Sequence, residues 1–249
     1  MSGEPAVRLQ VDRVSHSYRQ LEVLRNLSLE VLDGEFVAVV GPSGCGKTTL
    51  LNLLSRFDRP SAGLIEVNGQ TRTVYQKDGL FPWQTVWENI ALGLRRTKDK
   101  KEQERQVKEL ISLIRLEGFE NSYPYQLSGG MRQRVELARA LAGTSEVLLL
   151  DEPFSALDYL TRLRMRLELA RILKERPRTV VLVTHDIEEA AQLADRIIVL
   201  SEAPAQIRFE LSITAIRPRD PTHEEVVRAV HRVLTELGVE SGSGEYANA

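Results

Sequence analysis

The alternation of short apolar runs with amphipathic stretches predicts an α/β fold: a mostly parallel core sheet, a small antiparallel β region and an inserted helical region. Three observations carry that prediction. Phe36-Val37-Ala38-Val39-Val40 is an apolar run of strand length that turns through glycines into the helical stretch Leu50-Leu51-Asn52-Leu53-Leu54. Val147-Leu148-Leu149-Leu150 and Thr179-Val180-Val181-Leu182-Val183 are two more runs of this kind, each followed by helical spacing. Between about Gln76 and Gly143 the texture is helical, so this stretch reads as an insertion.

In chain order, Val7, Leu9, Val11 and Val14 mark a first strand, and Leu27 to Val31 repeats the alternation before a turn at Asp33-Gly34. These are expected to be antiparallel, with Tyr18 between them. A helix after the glycine loop is expected to run to about Phe57, followed by a turn from Asp58 to Gly63, a strand from Leu64 to Val67 and a second turn at Asn68-Gly69. The helical region comprises Thr85 to Leu94, a charged stretch from Lys98 to Glu104 read as a solvated face, and Val107, Leu110, Ile111 and Ile114 at helical spacing. A helix through Leu160 to Leu173 leads to the Thr179 strand; Asp186 to Glu189 has capping-box spacing and opens another helix, and Ile197 to Leu200 is a further strand.

Beyond Ser201 the character shifts. Arg217 to Pro221 reads as an extended linker, and Thr222-His223-Glu224-Glu225 as a second capping box. It opens a helix whose apolar stripe is Val226, Val227, Val230, Val233, Leu234 and Leu237, expected to pack on its own domain. Ser241-Gly242-Ser243-Gly244 is expected to be disordered. The expected division is a main domain over 1–205, with a helical subdomain at about 77–143, and a C-terminal extension over 206–249.

The 249 residues, 42% hydrophobic and 27% charged, suit a globular chain with a sizeable core. A net charge of −2 offers no general attraction to nucleic acid or anionic lipid. Cys45 is the only cysteine, which excludes an intramolecular disulfide. Met1 to Pro5 has neither a basic region nor an apolar run, against a signal peptide, and no apolar stretch approaches membrane-spanning length. Work at a membrane would need another chain to supply the span.

The chemistry begins at Gly41-Pro42-Ser43-Gly44-Cys45-Gly46-Lys47-Thr48-Thr49, a strand-to-helix turn with the spacing of a phosphate-binding loop. Glycines let the backbone curl until several N–H groups point inward, and the helix behind adds the positive end of its dipole. Lys47 would reach the β and γ phosphates and Thr48 would coordinate Mg²⁺. Asp151 and Glu152 end an apolar strand, placing both carboxylates at the carboxyl edge of the sheet. Asp151 suits the Mg²⁺ shell, and Glu152 suits a base that polarises water toward the γ phosphate. Leu127-Ser128-Gly129-Gly130-Met131 has a serine N-cap and two glycines opening a helix, a second anion-binding terminus. Two phosphate-type sites in one chain make sense if Ser128 and Gly129 reach a nucleotide held by another subunit.

With these motifs in this order the sequence resembles the ATP-binding cassette ATPases of membrane transporters, over roughly residues 7 to 205 and weakly beyond. Their signature is Leu-Ser-Gly-Gly-Gln; Met131 stands here at the fifth position. The resemblance implies a P-loop NTPase fold, ATP with Mg²⁺, and a second ATPase subunit, expected as a homodimer. Tyr18 would stack on adenine, while Gly41, Ser43, Gly44, Cys45, Gly46, Lys47, Thr48 and Thr49 would cradle the phosphates. Ser128, Gly129 and Gly130 would contact the second subunit's nucleotide, and Ser155-Ala156-Leu157-Asp158 matches the loop crossing the dimer interface. Gln76 matches the glutamine linking Mg²⁺ and water to the helical region, and His185 the switch histidine at the γ phosphate. His16, His223 and His231 fit no motif and are expected at the surface or on helices.

A finer resemblance lies in Gly79-Leu80-Phe81-Pro82-Trp83-Gln84-Thr85-Val86-Trp87-Glu88-Asn89-Ile90 and in Arg217-Pro218-Arg219-Asp220, which look like segments of cassette subunits from bacterial nitrate, sulfonate, taurine and bicarbonate importers. It implies a peripheral subunit on the cytoplasmic face of the inner membrane, working with an integral permease and a separate solute-binding protein. Phe81, Pro82, Trp83 and Trp87 are then either permease contacts or a buried aromatic cluster. One departure is that only six residues separate Gly69 from Gln76, fewer than in relatives. A DNA-repair or chromosome-associated ATPase shares the loop and the signature, but the long coiled coils or DNA-binding domains of such chains are missing from this sequence.

Overall fold

In the computed structural model, residues 6–76 and 79–239 are described; Met1 to Pro5, Lys77, Asp78 and the Ser241-Gly242-Ser243-Gly244 tail lie outside the described residues. In chain order the elements are β1 (Val7–Tyr18), β2 (Leu21–Leu32), β3 (Phe36–Val40), α1 (Lys47–Leu54), β4 (Ala62–Val67), β5 (Thr71–Val74), α2 (Val86–Ala91), α3 (Lys100–Leu113), α4 (Gly129–Leu141), β6 (Val147–Asp151), α5 (Tyr159–Glu175), β7 (Thr179–Val183), α6 (Ile187–Leu193), β8 (Arg196–Leu200), β9 (Ile207–Ser212) and α7 (Glu224–Glu236). Two compact units divide them. One takes in the described part of Met1–Leu9 with Val31–Gly34 and Val67–Val181; the other takes in Gln10–Glu30, Glu35–Glu66 and the described part of Leu182–Ala249.

In the first unit β5, β6 and β7 are successive neighbours. β5 runs parallel to β6 from Thr71 opposite Val147 to Val74 opposite Leu150. The short passage after Gly69 therefore still yields a full four-residue register, and Gln76 follows two residues after its end. α2, α3 and α4 pack together, with Val107, Leu110, Ile111 and Ile114 buried as their spacing predicts. α2 opens on a reciprocal capping box between Thr85 and Glu88. The fully buried Asn89 shapes the loop before it: its amide donates to the carbonyls of Phe81, Gln84 and Thr85, and its Oδ1 accepts from the Phe81 N–H at 2.9 Å. Phe81, Pro82 and Trp83 are thereby held outward, with Trp83 69% exposed and Trp87 half-buried. Of the two readings for this segment, the buried cluster is excluded.

In the second unit every residue of β3 is buried, because it is paired and covered. β8 lies parallel to it from Val37 opposite Arg196 to Val40 opposite Val199, and β9 closes antiparallel on β8. The three-stranded sheet has the order β2-β1-β4. The first helix ends at Leu54, three residues before the expected Phe57. His16, expected at the surface or on a helix, is buried in β1, its ring edge-on to Tyr18 at 4.7 Å.

The C-terminal segment departs most from its sequence reading. Arg217 to Pro221 is a clamp instead of a linker. The buried Arg219 donates to the carbonyls of Ala191 and Ala194 at 3.3 and 2.6 Å, and to those of Ala215 and Ile213. It thus takes up carbonyls that the last turn of α6 leaves unpaired. Arg217 pairs with Asp195 at 3.0 Å and stands over the Phe36 ring. The second capping box does not form: His223 is the N-cap, its Nδ1 accepting from the Glu225 N–H, while the Glu225 carboxylate accepts from the N–H groups of Thr214 and Ala215. α7 packs on α6 and β9 through Val226, Ala229 and Val233, and Val227 of the expected stripe is exposed. Arg219→Ala leaves several buried carbonyls without a donor, and we expect a loss of about 2–3 kcal/mol in unfolding free energy, read from urea midpoints at unchanged m-value.

Candidate nucleotide-binding and hydrolysis site

The phosphate loop begins where β3 ends. Gly44 and Gly46 have φ of +78° and +113°, in the left-handed region, and a Cβ on Gly46 would lie 2.8 Å from Val23 Cγ1 and 2.9 Å from Leu24 Cδ2. Only glycine fits there. The buried Lys47 donates from Nζ to the carbonyls of Gly41 and Pro42 at 2.8 and 2.9 Å, so its ammonium is folded back across the loop. Thr48 stands exposed on the first turn of α1, and burial pushes the Cys45 thiol up from its ordinary value. Among the described α-helices, α2 to α7 each carry a side-chain N-cap, whereas α1 starts at Gly46 with none. A glycine-bent loop, backed by a helix terminus without a side-chain N-cap and by a buried lysine, fits a phosphate chain.

In the first unit β6 delivers Asp151, which is buried, and then Glu152 at φ +45°. A left-handed backbone is strained for so long a side chain, by about 1–3 kcal/mol. Ser155 holds the kink, donating its N–H and its hydroxyl to the Glu152 carbonyl at 3.2 and 2.9 Å. Gln76 donates from Nε2 to the Glu152 carboxylate at 3.2 Å and to Ser155 Oγ at 3.3 Å, so these three side chains are brought together. Ser128 caps α4, its Oγ accepting from the Met131 N–H at 3.3 Å; that uses a lone pair and leaves the O–H as a donor. A Cβ on Gly129 or Gly130 would crowd Leu157 or Thr161, so the signature glycines also permit close packing of α4 on the start of α5. Asp158 is the N-cap of α5; its bonds from Thr161 hold its carboxyl below the ordinary value. Its side chain is thus occupied within the chain.

In the second unit Tyr18 ends β1 with its ring half exposed, which is not a core position. His185 is exposed on the turn between β7 and α6. Asp186 caps α6, accepting the Glu189 N–H at 3.0 Å, but the reciprocal half of the expected box is missing because Glu189 is turned inward to Thr184. Sequence reading also missed a clamp in the first unit: Glu136 accepts the Gly79 N–H and Arg139 donates to the Gly79 carbonyl at 2.8 Å. Its signal is a pair of opposite charges three apart on α4. The same side chains, with Arg72, Tyr75, Phe81 and Arg95, line a groove of about 520 Å³. Thr48 in the second unit and Gln76 and Asp151 in the first each carry an oxygen of the kind that Mg²⁺ takes. No cluster of three or more His, Cys, Asp or Glu residues is found among the described residues.

Residues 24–155 match the family model described as ABC transporter. The chain belongs to the ABC transporter family, as one of its ATPases, which bind ATP and use Mg²⁺ in hydrolysis. It is 45% identical over 225 residues to the aliphatic sulfonates import ATP-binding protein SsuB 1 of Rhodococcus jostii, covering 88% of this chain and 89% of that one. With SsuB 1 of Shouchella clausii it shares 42% over 247 residues, 98% and 96% of the two chains. Among solved structures, it resembles the ATP-binding cassette MJ0796, a dimer in a post-hydrolysis state bound to ADP and Pi, with a TM-score of 0.72 and 31% identity over 84% of this chain and 100% of that one. The expected P-loop NTPase class, mostly parallel sheet with an antiparallel region and inserted helices, is thus correct.

Gly46→Ala should cost about 1–3 kcal/mol of strain and reduce ATP affinity at least tenfold by titration calorimetry, since the new methyl both collides with Val23 and alters the loop.

Proposed function

We propose that this chain energises a bacterial importer of small anionic solutes, of the aliphatic-sulfonate type named for its relatives. The observation that carries the reading is the pairing, in one chain, of an uncapped phosphate cradle on α1 with a serine-capped, glycine-opened terminus on α4. If each terminus takes a phosphate, two copies would clamp each nucleotide between them. Lys47 binds the β and γ phosphates, Tyr18 stacks on the base, and Ser128 with Gly129 and Gly130 of the second copy completes the site. Thr48, Gln76 and Asp151 would hold Mg²⁺, which when bound neutralises phosphate charge. Glu152, kept in place by Gln76 and Ser155, takes the proton of the attacking water, and His185 contacts the γ phosphate.

The working division is an ATPase domain over 1–205, with a helical subdomain at about 77–143, and an extension over 206–249. No helix among the described residues is long and apolar enough to cross a membrane. In this reading a permease supplies the span and this chain sits peripherally at the cytoplasmic face, as expected for an import ATP-binding subunit like its relatives. Its docking site is the groove beside Phe81, with Trp83 and Trp87 at its approach; a separate solute-binding protein delivers the solute. The clamp on Gly79 joins that groove to α4, so docking bears on the helix that carries Ser128. A DNA-repair role finds no support in the net charge of −2.

Glu152→Gln should bind ATP normally, slow turnover by about 10³-fold and accumulate as an ATP-bound dimer on size exclusion; wild-type turnover would falsify Glu152 as the base. Replacing Phe81 and Trp83 together by alanine should abolish co-purification with the permease and leave the basal ATPase rate of the isolated subunit within about twofold, since two exposed anchors are lost and no nucleotide contact.

A further inference from the structure

We infer that Thr184 and Glu189 are positioning residues for His185, acting through a closed ring of hydrogen bonds at the turn that carries it. Thr184 and Glu189 are 1% and 2% exposed, whereas His185 between them in sequence is exposed. The Thr184 hydroxyl donates to Glu189 Oε2 at 2.5 Å and accepts the Asp186 N–H at 3.0 Å; the Glu189 N–H donates to Asp186 Oδ1 at 3.0 Å. Three residues thus bond in a cycle, each through a side chain, and His185 lies inside the cycle without belonging to it. Thr184 has its hydroxyl engaged as donor and acceptor, which leaves it one rotamer. Its own N–H donates to the carbonyl of Val39 at 3.2 Å, two residues before Gly41. The backbone at His185 is therefore referenced to the strand that delivers the phosphate loop.

A buried carboxylate is costly unless it is well bonded. Capping α6 requires only Asp186, and an outward Glu189 on the Asp186 N–H would complete the expected box at little desolvation cost. Instead the Asp186 N–H is given to Thr184, and Glu189 is buried to anchor the hydroxyl. This arrangement sacrifices a solvent-facing cap for a rigid turn. The far end of α6 is also held, by Arg219 on the carbonyls of Ala191 and Ala194, so the seven-residue helix cannot shift to relieve a loosened turn. A switch histidine gains from this, because an error of about 1 Å in a group aimed at a reacting centre costs up to 100-fold in rate.

The inference rests on the reading of His185 as the γ-phosphate contact, and the experiment separates the two. Steady-state ATPase kinetics and ATP affinity are measured for Thr184→Val, Thr184→Ser, Glu189→Ala, Glu189→Gln and His185→Ala, and for Glu189→Ala and Thr184→Val each combined with His185→Ala. Thr184→Val and Glu189→Ala should lower kcat about tenfold or more with KM and ATP Kd within about twofold, while Thr184→Ser and Glu189→Gln, which keep a donor and an acceptor, stay within about threefold of wild type. In the His185→Ala background neither substitution should lower single-turnover rates further, because the group they place is gone. An inactive His185→Ala with Thr184→Val at wild-type kcat overturns the inference alone. Losses that multiply with His185→Ala, or that the conservative variants share, make the ring merely structural and also overturn it. Wild-type turnover by His185→Ala removes both readings. If Glu189→Ala does not fold, the near-isosteric Thr184→Val and the Glu189→Gln control decide the question.

Discussion

Gly46 brings no side chain to the start of α1, and the first-turn N–H groups of that helix must be satisfied from elsewhere. Every other described α-helix supplies its own cap. The exception leaves those groups for water or an anion, and a phosphate-binding loop precedes them. β3 is buried along its whole length, so the loop leaves the sheet at a fixed point. Lys47 is folded onto the carbonyls of Gly41 and Pro42, which keeps a buried ammonium bonded and near the cradle.

Several residues proposed for the nucleotide site follow the carboxyl end of a strand: Gly41 after β3, Gln76 after β5, Glu152 after β6 and His185 after β7. A strand end held in a sheet moves little, but the side chain beyond it needs separate restraint. The chain solves this by local polar turns. Ser155 holds the left-handed Glu152 and Gln76 holds its carboxylate. Thr184, Asp186 and Glu189 close a ring about His185. Backbone strain at Glu152 and a buried carboxylate at Glu189 are the cost of fixing these turns.

The helical part carries its information outward. Asn89 spends both ends of its amide on the 81–85 loop, so that Phe81 and Trp83 project, and the charged pair Glu136 and Arg139 ties that loop to α4 at Gly79. The outward Phe81 and Trp83 and the helix opening on Ser128 are thereby tied into one packed element.

The order of most strands and helices (β5 and β9 excepted), the phosphate loop, the acidic pair at the end of β6 and the serine opening α4 were legible in the sequence, because each is written in neighbouring residues whose spacing mirrors backbone geometry. The buried stripe of α3 was legible for the same reason. Tertiary structure alone decided where polar side chains found their partners. Glu189 and Glu225 both have capping-box spacing, yet one turned in to the buried Thr184 hydroxyl and the other reached back to the N–H groups of Thr214 and Ala215. Arg219 closes the last turn of α6 although its motif reads as a linker, and His16 is buried although nothing near it in sequence demands that. Periodicity specifies which face of an element is apolar; it does not specify which donor, many residues away, will face a given carbonyl. That depends on how the packed elements bring distant groups within 3 Å of each other.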